Sequence, residues 1–338
     1  MESCANCFGS ITDMRKETRC QVCGKPLHKD CAINDGGTFC DVCYTVQRES
    51  VSMAKPEIVV PDVIRRSYIE LYKRCPYAFY MTVIKGVETG TSCFAQVGID
   101  LHDLFHKACL GEISNQKELL EIYKPTFDAY KDELFENDIL LYSDMTIPKL
   151  REKMWKQSED AVDVFFNVAL PQLPTTPLTL EENIIFGIGD DLPEVSITMD
   201  RVDEVDGMLE VCDWKTGAVM VGQKISSDLQ APLYIYAIRE HFKKSVRKFT
   251  FYYLPENKIR IFERVDDDNY VCKVNKREYK INITDAIREV QSIFAQIIKG
   301  NFNIPRETKK MYFSCKTCGL KHNGICKGAE TESWLQHN

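Results

Sequence analysis

Short runs rich in β-branched and aromatic residues, with apolar and polar positions tending to alternate, cover residues 178–186, 195–202 and 209–214 and predict three consecutive strands. A helical period takes over elsewhere. Ser67-Tyr68-Ile69-Glu70 has the spacing of a capping box ahead of Leu71, Tyr72, Cys75 and Phe79, so a helix is expected there. Further helices are expected over residues 94–110, 116–135, 148–170, 228–242 and 284–298, with strands at 248–254, 259–264 and 270–274. Helices, three strands, a helix and then more strands describe an α/β fold with a mixed central sheet flanked by helices. Residues 48–61, with Pro56 and Pro61, break both periods and read as a linker between a small segment 1–47 and a large domain 62–330.

Asp206-Gly207 lies between two of the predicted strands. Both central positions of a two-residue hairpin turn need positive φ, which Asp-Gly supplies. Folding the chain there sets Val202 opposite Val211, Glu204 opposite Leu209, and Asp200 opposite Asp213. Directly opposed residues have Cβ atoms roughly 4.5–5.5 Å apart, and like charges so placed repel, so a cation is expected between the two aspartates. Lys215, two residues past Asp213, emerges on the same face. Two carboxylates and a lysine on one edge suit a divalent ion and a phosphate; solvated charges on a surface hairpin are the plainer reading.

At 338 residues the chain has room for two domains, and its 44% hydrophobic content is ordinary for a globular protein. No uninterrupted apolar run reaches the length of a membrane span, and Met1 to Cys7 lacks the basic and apolar regions of a leader, so a soluble protein of a reducing compartment, with no membrane partner, is expected. A net charge of -7 excludes a histone-like coat and leaves nucleic-acid contact to local patches.

Fifteen cysteines are many, and they cluster. Cys4-x2-Cys7, Cys20-x2-Cys23, His28-x2-Cys31 and Cys40-x2-Cys43 supply eight ligands, enough for two tetrahedral Zn²⁺ sites that would provide the folding energy of so short a segment. This order of ligands resembles PHD fingers and the wider RING-like group. The resemblance implies that Cys4, Cys7, His28 and Cys31 share one ion and Cys20, Cys23, Cys40 and Cys43 the other. The gap from Cys31 to Cys40 is short for a PHD finger and no tryptophan precedes the last pair, so the segment is expected to dock on a protein or on DNA, without a choice between them.

A second set of pieces falls in order along the large domain: Cys75-Pro76-Tyr77-Ala78-Phe79, Gly98-x3-His102, Asp200-Arg201-Val202-Asp203, Asp213-Trp214-Lys215-Thr216-Gly217, Gln230-x3-Tyr234, and Cys315-x2-Cys318-x7-Cys326. From about Arg65 to Lys327 the chain resembles the PD-(D/E)XK nuclease superfamily, in particular the RecB-like and AddB-like exonucleases and CRISPR-associated nucleases that carry an iron–sulfur cluster. Ile197 stands where many relatives have glycine, and the last cysteine gap is long. The resemblance implies a metal-dependent deoxyribonuclease with a restriction-endonuclease-like core. Asp200, Asp213 and His102 would bind Mg²⁺ or Mn²⁺; Lys215 would orient water and offset charge at the phosphate; Gln230 and Tyr234, one helical turn apart, would face the site. Glu182 matches an acidic position of the family, but Glu181 adjoins it, and neither is assigned to the site. Cys75, Cys315, Cys318 and Cys326 would hold one [4Fe–4S] cluster, with a zinc on the same ligands as the alternative.

The expected substrate is DNA, cut from an end or as a single strand, in recombination, repair or genome processing in the cytoplasm of a bacterial or phage-infected cell. A protein partner through the finger, and a separate helicase, are expected because the chain has no G-x-x-x-x-G-K-[ST] phosphate loop. Arg65, Arg66, Lys73, Arg74, Lys243, Lys244, Arg247 and Lys248 are candidate phosphate contacts, and Tyr68, Tyr72, Tyr77 and Tyr80 candidate stacking surfaces. The competing reading is a non-catalytic adaptor that binds DNA and recruits a partner through its finger.

Overall fold

The computed structural model describes residue 4 and residues 17–21, 25–34, 38–40, 58–139, 144–304, 315 and 318–326. Its contacts divide the chain into two units, Met1–Val59 and Val60–Asn338. In the first, strand β1 (Glu17–Arg19) pairs antiparallel with β2 (Pro26–His28), and β3 (Ile33–Asn34) with β4 (Thr38–Phe39). Its buried cluster is Cys4, Cys20, Leu27 and Cys40, so ligand-type side chains occupy the place of an apolar core. Cys7, Cys23 and Cys43 lie outside the described residues.

The second unit is an α/β structure on one mixed sheet. Strands β5 (Val63–Arg65), β6 (Thr179–Phe186), β7 (Glu194–Val205), β8 (Met208–Lys215), β9 (Val246–Tyr253), β10 (Lys258–Arg264), β11 (Asn269–Val274) and β12 (Arg277–Asn282) are ordered β12-β11-β10-β9-β8-β7-β5, with β6 also pairing β7. The β5–β7 and β8–β9 pairs are parallel and the rest antiparallel. Leu209 and Val211 enter one core and Cys212 and Trp214 the other, as the two-residue alternation of a strand buried on both faces requires. The first core is roofed by α1 (Arg66–Arg74), α8 (Gln230–Phe242) and α9 (Ile283–Ile298) through Ile69, Ile238 and Phe294. Over the second lie α3 (Cys93–Cys109), α4 (Gln116–Asp128), α5 (Glu133–Ile139) and α6 (Ile147–Val164), with Phe105, Phe165 and Trp214 in contact at its centre. Short helices α2 (Pro76–Phe79), α7 (Lys224–Ser227) and α10 (Gly319–His322) are also present.

The hairpin forms as its turn dictates. Asp206 and Gly207 have φ of 52° and 78°, and the ladder pairs Val202 with Val211 and Glu204 with Leu209. Elsewhere tertiary bonds override local signals. No capping box forms: α1 starts at Arg66, its N-cap Arg65 makes no side-chain bond, and Glu70 instead accepts the Leu229 N–H at 3.3 Å. The single helix expected over 116–135 is two, because Tyr130 leaves the helical path to bond Asp100 with its hydroxyl and Arg151 with its carbonyl. Two strands of the large unit escaped the pattern. β5 is three residues long, and β12 is an edge strand with Ile281 its one buried side chain.

Ala at position 207 would have to adopt a left-handed backbone, at a cost of about 1–2 kcal/mol. Gly207→Ala should therefore lower the unfolding free energy measured by urea titration by that amount, whereas Asp206→Gly should leave it within about 0.5 kcal/mol. Equal stability of Gly207→Ala and the parent protein would count against this turn.

Candidate active site

Residues 195 and 196 of β7 pair with both β6 and β5, and residues 201 and 202 with both β6 and β8. Because a strand has two edges, β5 and β8 must share the edge opposite β6. Between them residues 197–200 have no strand partner on that edge. The Tyr234 hydroxyl, on α8, donates to the Thr198 carbonyl at 2.7 Å, and the Trp214 N–H donates to the Asp200 carboxylate at 2.6 Å. Asp200 and Asp213 are therefore not a ladder pair: the ladder ends at Arg201↔Cys212, and the strands part around the two acids.

Asp200 meets α3 and β6 in this opening. Its Oδ1 lies 3.2 Å from His102 Nδ1, and ligand atoms of His102, Glu181 and Asp200 lie within 4.8 Å of one another. Gly98, one turn before His102, permits the approach; a β-carbon there would stand 3.0 Å from Thr216 Oγ1 in the turn after Lys215. Glu181 is the residue that sequence reasoning left out. In the β6–β7 register Leu180 pairs with Arg201 and Glu182 with Met199, so Glu181 falls opposite Asp200. Its φ of 48° marks the local break that turns it inward. Glu182 instead meets Thr179 and His241.

Asp213 belongs to a second group. Gln230 Nε2 donates to its Oδ1 at 2.5 Å and accepts from Lys215 Nζ at 2.8 Å through Oε1. Lys215 Nζ stands 2.6 Å from Asp213 Oδ2 and pairs with this buried oxygen. An anionic oxygen so placed fits a cation, and the neighbouring oxygen and imidazole ligands are of the type that bind Mg²⁺ or Mn²⁺. Tyr234 holds the β7 backbone through its hydroxyl.

Burial pushes the Glu181 carboxyl up to about 7, helped by the Asp200 charge and opposed by His102. Burial disfavours a charged His102, but Asp200 outweighs it and raises the imidazole to about 9. Asp213 is also raised, by burial and then by Asp200, against the pull of Lys215. Too much negative charge is gathered here for the site to ionise fully alone.

Behind the site Arg201 and Asp203, each 1% exposed, form a buried pair with Nε–O distances of 3.0 and 2.9 Å. The candidate phosphate contacts after α8 are neutralised: Lys243 by Glu240, Lys244 by Glu204, Arg247 by Asp206 and Glu210, and Lys248 by Glu210. Lys73 likewise pairs with Glu289 at 2.8 Å. Tyr72 is core, edge-on to Phe79 and bonded to the Asn301 carbonyl, and Tyr80 stacks on Phe302.

Cys75, Cys315, Cys318 and Cys326 line one cavity of about 220 Å³, together with Tyr77 and Ser92. Cys75 accepts the Ala78 N–H at 3.4 Å, and its thiol is raised by burial and by Cys318 and Cys315. In the first unit Cys4, His28 and Cys31 bring ligand atoms within 4.8 Å of one another, and the His28 N–H points at the Cys4 sulfur at 3.3 Å. Cys20 and Cys40 are buried in the same cluster.

The family model of the PD-(D/E)XK nuclease superfamily matches residues 66–327. No curated protein matches the chain. Among solved structures, one titled "Crystal structure of SSO0001" is 14% identical, covers 85% of this chain and 96% of its own, and has a TM-score of 0.30.

A cation entering the site must displace protons from groups whose pKa values are raised, so its affinity should increase with pH. Calorimetric titration with Mn²⁺ should show affinity rising about tenfold per pH unit from pH 7 to 9, where His102 deprotonates, and more steeply below 7, where Glu181 also holds a proton. His102→Ala should flatten the upper limb. A pH-independent affinity would contradict this ligand set.

Proposed function

The chain belongs to the PD-(D/E)XK nuclease superfamily, and on that premise we propose that it is a metal-dependent deoxyribonuclease of the RecB-like and AddB-like iron–sulfur type, acting on DNA ends or single strands in recombination, repair or genome processing. The observation that carries the reading is the meeting, at one break in the β7 edge, of His102, Glu181 and Asp200 with the Asp213–Lys215–Gln230 group. His102, Glu181, Asp200 and Asp213 are the residues to hold Mg²⁺ or Mn²⁺. The ion supplies positive charge that polarises the scissile phosphate and acidifies water. Lys215 offsets the negative charge that builds on the phosphoryl oxygens. Gln230 fixes both Lys215 and Asp213, so the ammonium keeps its direction as substrate enters. Tyr234 braces the unpaired stretch of β7, which keeps Asp200 beside His102.

Cys75, Cys315, Cys318 and Cys326 hold a [4Fe–4S] cluster in this reading. Such a clip closes a loop of roughly 240 residues, which favours a stabilising role. The finger takes two Zn²⁺, the first through Cys4, Cys7, His28 and Cys31, and serves to recruit a protein partner, with a separate helicase as the source of unwound DNA.

Lys215→Ala and Asp213→Asn should each lower cleavage of end-labelled DNA by about 100-fold or more. Glu181→Gln should also lower it. A Lys215→Ala protein as active as the parent would defeat the catalytic reading. Anaerobically purified protein should be brown with four iron atoms per chain and two zinc atoms; one further zinc in place of iron would overturn the cluster assignment.

A further inference from the structure

At one corner of the sheet Arg260 and Arg277 come together, and among the described residues neither forms an ion pair. Arg260 on β10 pairs with Phe251 on β9, and Phe251 pairs with Asp213 on β8. Directly paired residues share a face, so Arg260 stands in the same row as the site's aspartate, two strands and roughly 10 Å away. Arg260 lines a pocket of about 370 Å³ with Arg277, Asn275, Tyr279, Val221 and Gly222. Arg277 opens β12, and the turn before it, Asn275-Lys276, lies at the end of the sheet where Lys215 ends β8.

Two features make this a receptor for anions. The Arg260 guanidinium is aimed by backbone carbonyls, with Nε 3.4 Å from Met220 O and a terminal nitrogen 3.0 Å from Ile259 O. Among the described residues Arg260, Lys276 and Arg277 form no ion pair, in contrast to Lys243, Lys244, Arg247 and Lys248. The segment that leaves Lys215 bridges site and pocket. Val219 N–H is held by Glu256 at 2.8 Å, Met220 receives Arg260, and Val221 and Gly222 form the pocket wall.

We propose that this pocket seats backbone phosphates of a single-stranded polynucleotide next to the one positioned at Lys215, with Arg260 and Arg277 as the phosphate ligands and Tyr279 beside the sugar or base. The assignment rests on the nuclease reading and extends it from the scissile phosphate to the flanking strand. Affinity for fluorescein-labelled oligothymidylate should be measured by anisotropy across 50–300 mM salt, on the full chain without added divalent metal. Each single-strand phosphate contact contributes about 0.7 to the slope of log affinity against log salt. Arg260→Gln/Arg277→Gln should lower that slope by about 1.4 and weaken binding about tenfold or more at 50 mM. Arg260→Lys/Arg277→Lys should retain most of the slope, and Lys243→Gln/Lys244→Gln should leave it unchanged. If the double glutamine variant does not fold, Arg277→Gln alone, on an exposed edge, should lower the slope by about 0.7. An unchanged slope in a folded variant overturns the proposal. Cleavage of the same strand by the parent protein with Mn²⁺ is scored in parallel. Absent cleavage with a lowered slope sinks the nuclease reading alone, and cleavage with an unchanged slope sinks the phosphate pocket alone.

Discussion

One edge of β7 is divided between two partners, and the site exists because the division leaves a gap. β5 takes the edge at residues 194–196 and β8 takes it from residue 201, so among the described residues 197–200 have no strand partner on that edge, though β6 pairs 197–199 on the other. Unpaired backbone inside a sheet costs free energy unless other groups satisfy it. Here Tyr234 receives one carbonyl into a hydrogen bond, and the Asp200 side chain takes an N–H that a ladder carbonyl would otherwise accept. The substitution converts a packing defect into a carboxylate whose Oδ2 is fixed by the Trp214 N–H and whose Oδ1 meets His102. Arg201 and Asp203, bonded to each other on the next residues, hold the strand where it re-enters the ladder.

The charge in the opening is arranged in two halves with different tasks. His102, Glu181 and Asp200 lie close enough to share one ion; burial and then the Asp200 charge favour a proton on Glu181, and attraction to Asp200 favours one on His102. Asp213 is tied to Lys215 through Gln230, so a positive charge stays beside it throughout. A site that binds a divalent ion and a phosphate needs both halves. The first supplies excess negative charge for the ion, and the second keeps a cation in reserve for the substrate. Groups held away from their ordinary pKa values are a stability cost located where function can use it.

Much of this was legible in the sequence, and the parts that were not share a cause. Asp206-Gly207 set the register of β7 on β8, because a two-residue turn leaves one pairing, and the alternation along β8 placed Lys215 with Asp213; the Asp200–Asp213 pairing that the register implied falls beyond the end of the ladder. The same arithmetic applied to β6 would have selected Glu181 over Glu182, but β6 joins β7 through a long connection and no turn announces its register. The positive φ at Glu181 is likewise invisible, since no glycine marks it. The basic run 243–248 read as a phosphate track because its partners, Glu204, Asp206 and Glu210, come from the hairpin, far away in sequence. Arg260 and Arg277 stood alone in the sequence and gained meaning from sheet order. Local signals located elements and chemistry; long-range pairing decided which charges remain free.

Helix α3 shows how distant parts of the large unit act on the same opening. Its N-terminus is capped by Ser92, which accepts the Ala95 N–H at 3.1 Å, and by Asp138, which accepts the Cys93 N–H at 2.7 Å. Ser92 and Asp138 also line the cavity of Cys75, Cys315, Cys318 and Cys326. His102 lies nine residues further on, roughly 14 Å along the helix axis. Between the two, Gly98 lets the helix rest against Thr216, directly after Lys215. The helix is thus held at its start beside the cysteine cavity and at its middle against the turn after Lys215, so the same element that borders the cavity carries His102 to Asp200.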